Sequence, residues 1–473
     1  MNIIDTDVAI IGAGTAGLAA YRAAVAAGRR ALLIEAGPYG TTCARVGCMP
    51  SKLLIAAAEA AHGPSKWDQF GLRLEGRVLV DGAAVMARIQ RERDRFVGFV
   101  LDAVDNIPQD HRLVGKARFT SDRSLQVEGG PTVRFRSAVI ATGSAPAIPA
   151  MLRGAEDRLV VNDDVFDWND LPRSAAVFGP GVIGLELGQA LSRLGVDISM
   201  VGRGGYVGPF SDPALREYAH TTFAAEFSLD PDAKVENITR VEGGVRIARR
   251  DAHKRLDEQT VDYVIAATGR TPNVRDLGLD TTSLALDPAG VPRLDRTTLR
   301  CGTSTIFIAG DANNDLPLLH EAADEGRIAG ENAASIPDVR PGLRRTPLAI
   351  VFTDPQLAVI GQRYADLAGQ TFVTGRASFE DQGRSRVMLR NRGLLHVYAA
   401  PGDGRVLGAE LIGPDAEHLA HLLAWGIQSE MTVARMLEMP FYHPVVEEGL
   451  RTALRDTAAQ IAQRRQPTDR LAA

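Results

Sequence analysis

Short apolar runs alternating with amphipathic stretches set the rhythm of the first three quarters of the chain. Residues 8–11 form an apolar run of the kind that fills a buried parallel strand. Residues 18–27 carry a helical pattern closed by Gly28, and 30–35 predict the next strand. Residues 50–61 predict a helix with Pro50 in its first turn and an Ala/Leu-rich body. Residues 85–104 predict a long amphipathic helix rich in Arg, Asp and Glu, and 138–140 a strand running into Ala-Thr-Gly-Ser. The opening pattern then recurs as strand 175–178, helix 183–194 and strand 198–201. Residues 261–266 predict a strand that runs into Ala-Thr-Gly-Arg-Thr-Pro-Asn, and 305–309 one that ends in Gly310-Asp311. From about Thr346 the texture changes. Strands at 348–352, 394–398 and 407–411 precede helices at 418–428 and 445–459, which predicts a separate α+β domain. The polar tail after Arg464 predicts a frayed end.

Composition narrows the class. A chain of 473 residues suggests about three domains. Apolar residues at 45% and charged residues at 23% are ordinary globular values, so disorder and a membrane bundle are excluded as the main architecture. The formal charge of −5 gives no basic footprint for nucleic acid. The N-terminus has no basic stretch ahead of its short apolar run, and no segment is long enough to span a bilayer. A cytoplasmic location, with no membrane or nucleic-acid partner, is the expectation. Three cysteines, Cys43, Cys48 and Cys301, are too few to staple a chain this long.

The repeated pattern carries a repeated motif. Gly12-Ala-Gly14-Thr-Ala-Gly17 recurs as Gly179-Pro-Gly181-Val-Ile-Gly184, each time between an apolar strand and a helix. In such a turn the first glycine permits the bend, the second lets a pyrophosphate approach the helix N-terminus, and the third lets helix and strand pack closely. Glu35, 23 residues after Gly12, stands where an acid meets a ribose 2′-hydroxyl. The same offset from Gly179 lands on Gly202, followed by Arg203. That leans toward an adenosine 2′-phosphate, although an exposed loop arginine is the plainer reading. Pro180 also removes one amide donor from the second loop.

Cys43-Ala-Arg-Val-Gly-Cys48 leads into Met-Pro-Ser-Lys and the helix that follows. Cys48 therefore falls at or just before a helix N-terminus, where the dipole and free amides favour a thiolate, and Lys52 adds positive charge. A redox pair competes with a metal site, for which His62 is the only nearby further ligand, with a structural disulfide, and with two inert core cysteines. Cys301 lacks any such context and reads as an ordinary buried cysteine.

These residues together resemble the flavin-dependent pyridine nucleotide–disulfide oxidoreductases, and within them the dihydrolipoyl dehydrogenases. The resemblance runs over essentially the whole chain. It rests on the turn at 12–17, the C-x-x-x-x-C-x-P-S-K segment at 43–52, the Ala-Thr-Gly turns at 141–143 and 267–269, the second glycine loop, Gly310-Asp311, and His443-Pro-Val-Val-Glu-Glu448. It implies FAD held by Gly12, Gly14, Gly17, Glu35, Lys52, Thr142, Gly143, Gly310 and Asp311. It implies NAD or NADP held by Gly179, Gly181, Gly184, Gly202, Arg203 and Gly269. Cys43 would face the substrate and Cys48 the flavin, with Lys52 near the flavin and paired to Glu186. His443 and Glu448 would come from the partner subunit of a homodimer. Their spacing suits a proton-moving imidazole steadied by a carboxylate, and equally a capping histidine beside a solvated acid.

The chain also departs from the family. Gly40-Thr41-Thr42-Cys43 stands where Gly-Gly-Thr-Cys is usual, and Ala44-Arg45 where Leu-Asn is usual between the cysteines. No second cysteine pair occurs near the C-terminus, which sets mercuric reductases and the large thioredoxin reductases aside. The expected fold is α/β: two Rossmann-like FAD/NAD(P)-binding domains (FAD, 1–147 and 275–345; NAD(P), 148–274) and a C-terminal α+β dimerisation domain (346–473). The expected activity is oxidation of dihydrolipoyl groups by NAD(P)+ through a Cys43–Cys48 disulfide. The alternatives are an NADPH-dependent reductase of another disulfide, a quinone or a metal ion, and, more remotely, a non-catalytic flavoprotein subunit.

Overall fold

The computed structural model describes residues 2–250 and 255–465, so the expected frayed tail lies almost wholly outside the described residues. The chain divides into two compact units, Met1–Pro50 with Arg88–Ala147 and Gly269–Arg344, and Ser51–Ala87 with Ile148–Thr268 and Arg345–Ala473. Among the described residues no helix is long and apolar enough to cross a membrane.

The first unit opens with β1 (Ile3–Ile11), α1 (Thr15–Ala26) and β2 (Ala31–Glu35), followed by α2 (Thr42–Val46), α3 (Cys48–His62) and, further on, β3 (Thr132–Ile140). Strand β1 lies between β2 and β3, parallel to both, with Val8 opposite Ala31 and Ser137. Strand Ile306–Ile308 pairs with the far side of β3, again parallel. Residues 8–10 and 138–140 have no exposed surface, as expected of strands covered on both faces. Helix Leu319–Ser335 packs on α1 at backbone contact. A Cβ on Gly326 would lie 2.1 Å from the Ala16 carbonyl oxygen, and one on Gly330 2.4 Å from that of Ala20. The hairpin Ala117–Ser121 and Ser124–Val127, absent from the expected elements, extends this sheet antiparallel to β3.

In the second unit, β4 (Ser174–Phe178), α4 (Val182–Arg193) and β5 (Asp197–Val201) repeat the opening pattern within a five-stranded parallel sheet. The strand expected at 261–266 is two strands. Leu256–Val261 closes a three-stranded antiparallel sheet, and Tyr263–Ala266 joins the parallel one. Asp262 marks the break, because its carboxylate accepts the N–H groups of Arg173 and Ser174. The C-terminal segment forms a five-stranded antiparallel sheet against helices Ala416–Gln428 and Glu448–Arg465. Its strands Gln356–Gly361 and Val373–Ser378 and its helix Val433–Leu437 were not expected from the sequence. In Val373–Ser378 the buried face carries only Val373, Gly375 and Ala377, so small residues blunt the apolar alternation that would have announced a strand.

Along strand Leu394–Ala399, Leu395, Val397 and Ala399 enter the helix-covered core, while His396 and Tyr398 alternate onto the other face. The contacts there are polar. Fully buried Glu410 accepts the N–H groups of Ser211 and Asp212 at 3.0 Å each, the Ser211 hydroxyl at 2.5 Å and the Tyr364 N–H at 2.9 Å. Asp212 caps helix Pro213–Ala224 by accepting the Ala214 N–H. Its other oxygen lies 2.7 Å from His396 Nδ1 and accepts the Tyr398 hydroxyl at 3.0 Å. Burial pushes the Asp212 carboxyl up, but the His396, Ala214 and Tyr398 hydrogen bonds outweigh it and hold its pKa below the usual value. Replacing Asp212 with Ala strands buried His396 and Tyr398, and should cost about 2–4 kcal/mol. Because the folded pKa is depressed, Asp212 stabilises the fold fully above about pH 4 and loses that effect as pH falls through the lowered value. The melting-temperature gap between wild type and Asp212→Ala should therefore narrow below about pH 4. A gap that widens in acid would contradict this arrangement.

Candidate functional site

The turn after β1 is shaped by contacts that leave no room for side chains. Gly12 has φ +103°, and a Cβ there would lie 2.3 Å from the Ala141 carbonyl oxygen. A Cβ on Gly17 would lie 1.8 Å from the Gly12 carbonyl oxygen. Gly14, at the N-terminus of α1, differs because an added Cβ would meet nothing within 4 Å. Beside this opening, the Ala13 N–H donates to Glu35 Oε2 at 2.6 Å and the Gly37 N–H to Oε1 at 2.8 Å, which fixes the carboxylate at the end of β2.

The rest of this unit supplies the other polar groups expected around FAD. Thr142 Oγ1 is buried with no hydrogen-bond partner among the described residues. Asn273 donates to the carbonyls of Thr142 and Gly143, and Gly269 receives the Ala147 N–H. Asp311 Oδ2 accepts the Ser144 hydroxyl at 2.7 Å, and that hydroxyl accepts Arg270 Nε at 2.7 Å. Gly310 donates its N–H to buried Glu325 at 2.7 Å, and Arg344 sits 2.8 Å from the second oxygen of that carboxylate. Burial raises the Glu325 pKa against the pull of Arg344. Open space at a helix N-terminus, an orphaned buried hydroxyl and two oriented carboxylates fit the phosphates and hydroxyls of a flavin dinucleotide. Ser144, Arg270, Glu325 and Arg344 were not singled out from the sequence. Only the first two lie in a recognisable turn, and none follows from spacing alone.

In the second unit the glycine contacts recur. A Cβ on Gly179 would lie 2.4 Å from the Ala267 carbonyl oxygen, and one on Gly184 1.9 Å from that of Gly179, while Gly181 is open. Gly202 is hemmed in and Arg203 is exposed. Five residues into α4, Glu186 is buried and bound at both oxygens by Lys52 Nζ, at 2.9 and 2.8 Å. The Phe352 N–H also donates to Glu186, and the Lys52 ammonium lies 4.4 Å from the centre of the Phe352 ring. The expected Lys52–Glu186 pair is thus formed, and Phe352 is a third member that the sequence reading missed.

Cys43 lies half-buried in α2, a one-turn helix not expected from the sequence. Cys48 is exposed and is itself the first residue of α3, which begins two residues earlier than expected. Its sulfur therefore stands in the first helical turn, where free amides favour a thiolate. Lys52 follows one turn later in the same helix. Cys301 is buried, and burial pushes its thiol up to about 12, so it stays protonated and inert. Thr41, in place of the family's glycine, has φ +58° and ψ 150°, a region that essentially only glycine occupies without strain.

Near the C-terminus His443 and Glu448 come together. His443 Nδ1 lies 3.1 Å from both carboxylate oxygens of Glu448. The helix expected at 445–459 starts at Glu448, so this acid sits at the helix N-terminus and also accepts the Val445 N–H. The hydrogen bond from His443 draws the Glu448 pKa below its ordinary value. The His443 side chain is 81% exposed, which leaves its other nitrogen accessible.

Two outcomes check this geometry. Gly14→Ala should fold normally yet retain less FAD, whereas Gly17→Ala should fail to form the turn and lose both. Normal FAD content in Gly14→Ala would remove the case for close phosphate approach. Thr41→Gly should relieve about 1–3 kcal/mol of backbone strain. It gives up only a few tenths for the weak cap that Thr41 Oγ1 makes to Ala44. The melting temperature should rise, and a fall would show that the threonine conformation is not strained.

Known proteins bear on the site as follows. Residues 6–326 match the family described as pyridine nucleotide-disulphide oxidoreductase, and 348–454 match its dimerisation domain. The mercuric reductase of Shigella flexneri is 30% identical over 94% of this chain and 80% of its own length. The dihydrolipoyl dehydrogenase of Halobacterium salinarum is 28% identical over 94% of each chain. The solved structure of RclA, an HOCl-induced flavoprotein disulfide reductase from Escherichia coli, aligns with a TM-score of 0.79 at 22% identity, covering 96% of this chain and 99% of its own. Mercuric reductases, set aside from the missing second cysteine pair, are thus as similar as the dihydrolipoyl dehydrogenases.

Proposed function

Since the chain belongs to the pyridine nucleotide-disulphide oxidoreductases, enzymes that bind FAD and NAD(P), we propose that it oxidises a dihydrolipoyl-type dithiol with NAD(P)+ through a Cys43–Cys48 disulfide. The observation that carries this reading is the His443–Glu448 hydrogen bond on an exposed imidazole. Dithiol chemistry needs a base that takes a thiol proton near neutral pH, and histidine is the side chain suited to that. With Glu448 on Nδ1, Nε2 is the nitrogen that accepts the proton, and the carboxylate steadies the imidazolium.

The resulting substrate thiolate attacks Cys43 and breaks the disulfide, releasing Cys48 as a thiolate at the start of α3. The second substrate thiol then displaces Cys43, which takes up a proton, and the substrate leaves as its disulfide. Two electrons now rest on the cysteine pair. Bound FAD supplies the relay by which they reach the nicotinamide. Lys52, held by Glu186 and Phe352, fixes a positive charge one turn beyond Cys48. In a homodimer, for which the matching dimerisation domain speaks, His443 would act on the partner's cysteines.

A second reading is favoured by Arg45 and by the similarity to mercuric reductase. Arg45 lies between the cysteines with its aliphatic stem against Gly40, and adds a charge that a dihydrolipoyl site does not need. On that reading the enzyme runs from NADPH toward another disulfide or a metal ion.

Half-reactions separate these possibilities. His443→Gln should slow reduction of the enzyme by dihydrolipoamide by about 10²–10⁴-fold while leaving its reduction by NAD(P)H unchanged. Cys43→Ser should keep FAD and lose turnover. Absence of dihydrolipoamide turnover with either nucleotide in the wild type would refute the dithiol reading. NADPH oxidation driven by a metal ion or a different disulfide would then select the second.

A further inference from the structure

The chain carries its own comparison for nucleotide choice. The two glycine turns correspond position by position, so Ala13 answers to Pro180 and Glu35 to Gly202. In the first unit those two residues form a clamp, with the Ala13 N–H donating to Glu35 Oε2 at 2.6 Å. In the second unit both halves are gone together. Pro180 has no N–H to donate, and Gly202 has no side chain to receive it.

Space enforces the loss. A Cβ on Gly202 would lie 2.7 Å from Pro180 Cγ and 2.7 Å from the Pro231 carbonyl oxygen. The proline ring and the neighbouring backbone fill the volume through which an acid would have to pass. A free ribose diol brought to the end of β5 therefore meets no carboxylate from position 202, the group that favours an unphosphorylated adenosine.

What the edge offers instead is positive charge. Arg203 follows at once, exposed and without a carboxylate partner among the described residues. The loop that carries it is pinned. The Gly204 N–H donates to Asp232 Oδ1, the Gly205 N–H to the Pro231 carbonyl, and Arg216 to the Gly205 carbonyl. The Arg216 guanidinium stacks on Tyr206 at 4.2 Å. Two acids lie on the same side of the loop and help to pin it, Asp230 accepting the Asp232 N–H and Asp232 that of Gly204. A pinned loop with an unengaged arginine at its head suits a phosphate dianion.

We infer that the second site selects NADP(H) over NAD(H), with Arg203 reading the adenosine 2′-phosphate and the Pro180–Gly202 pair removing the acid that would repel it. This rests on the reading of 179–184 as the nicotinamide-nucleotide loop. The test uses the FAD-loaded enzyme and two fragments that differ only in the phosphate, 2′,5′-ADP and 5′-AMP, titrated by calorimetry. Wild type should bind 2′,5′-ADP at least about tenfold more tightly, the scale of one charge-assisted contact. Arg203→Gln should bring the two toward parity with FAD content unchanged, and should lower kcat/KM for NADPH far more than for NADH. Equal binding of both fragments by wild type, or an Arg203→Gln effect of the same size on both, would overturn the preference while leaving the loop assignment standing. Binding of neither fragment, with no reduction of the enzyme by either nucleotide, would overturn both.

Discussion

Both dinucleotide turns depend on one kind of contact, a carbonyl oxygen standing where a side chain would otherwise be. It occurs at Gly12 and Gly17 in the first unit and at Gly179 and Gly184 in the second, with the would-be Cβ 1.8 to 2.4 Å from a backbone oxygen. No rotamer change can relieve a clash with backbone, so these positions admit only glycine. The reward for that restriction is geometric. Strand, turn and helix are drawn together so tightly that the helix N-terminus points at the space left open by Gly14 or Gly181. The same principle joins α1 to helix Leu319–Ser335, which follows the turn carrying Asp311, through Gly326 and Gly330.

The second turn has a further consequence. Helix α4, whose start it fixes, also carries Glu186 and so presents a buried carboxylate to Lys52. A buried ion pair is weak ground for stability, since desolvating both charges offsets much of their attraction. Its value here is positional. Glu186 also accepts the Phe352 N–H, and Lys52 lies over the Phe352 ring, so a flexible four-carbon stem is held in one place. Glu410 follows the same logic with three backbone amides and the Ser211 hydroxyl in place of a cation.

The sequence revealed what is local and periodic. The central parallel strands, the helices after the two glycine turns and the turns themselves could be read because each announces itself within about a dozen positions, whereas the three-residue parallel strands Arg112–Val114, Leu159–Val161 and Ser228–Asp230 were not expected. The cysteine pair, Lys52 and Glu186, and His443 and Glu448 were named from motifs, and the latter two pairs are in hydrogen-bond contact. What escaped was either irregular or distant. Asp262 splits one apolar run into two strands through contacts with residues 88 and 89 positions away. The relay Arg270–Ser144–Asp311 joins three segments whose order in the chain says nothing of their meeting. Glu410 binds Ser211 and Asp212 across 199 and 198 positions. No window along the chain contains such pairs.

The two cysteines show why placement outweighs composition. Three thiols of identical chemistry meet three environments. Cys301, sealed among apolar side chains, is pushed up to about 12 and cannot act as a nucleophile near neutrality. Cys48 stands exposed in the first turn of a 15-residue helix, with a lysine one turn on. Cys43 sits half-buried in a separate turn, entered through a threonine whose φ is positive. Thiol–disulfide exchange needs one sulfur that an incoming thiolate can attack and one that leaves readily, and a leaving thiolate is better the lower its pKa. In the exchange proposed above, Cys48 at the helix start would be the sulfur that leaves and Cys43 the sulfur attacked. An asymmetric pair of this kind gives the exchange a direction that two equivalent cysteines could not.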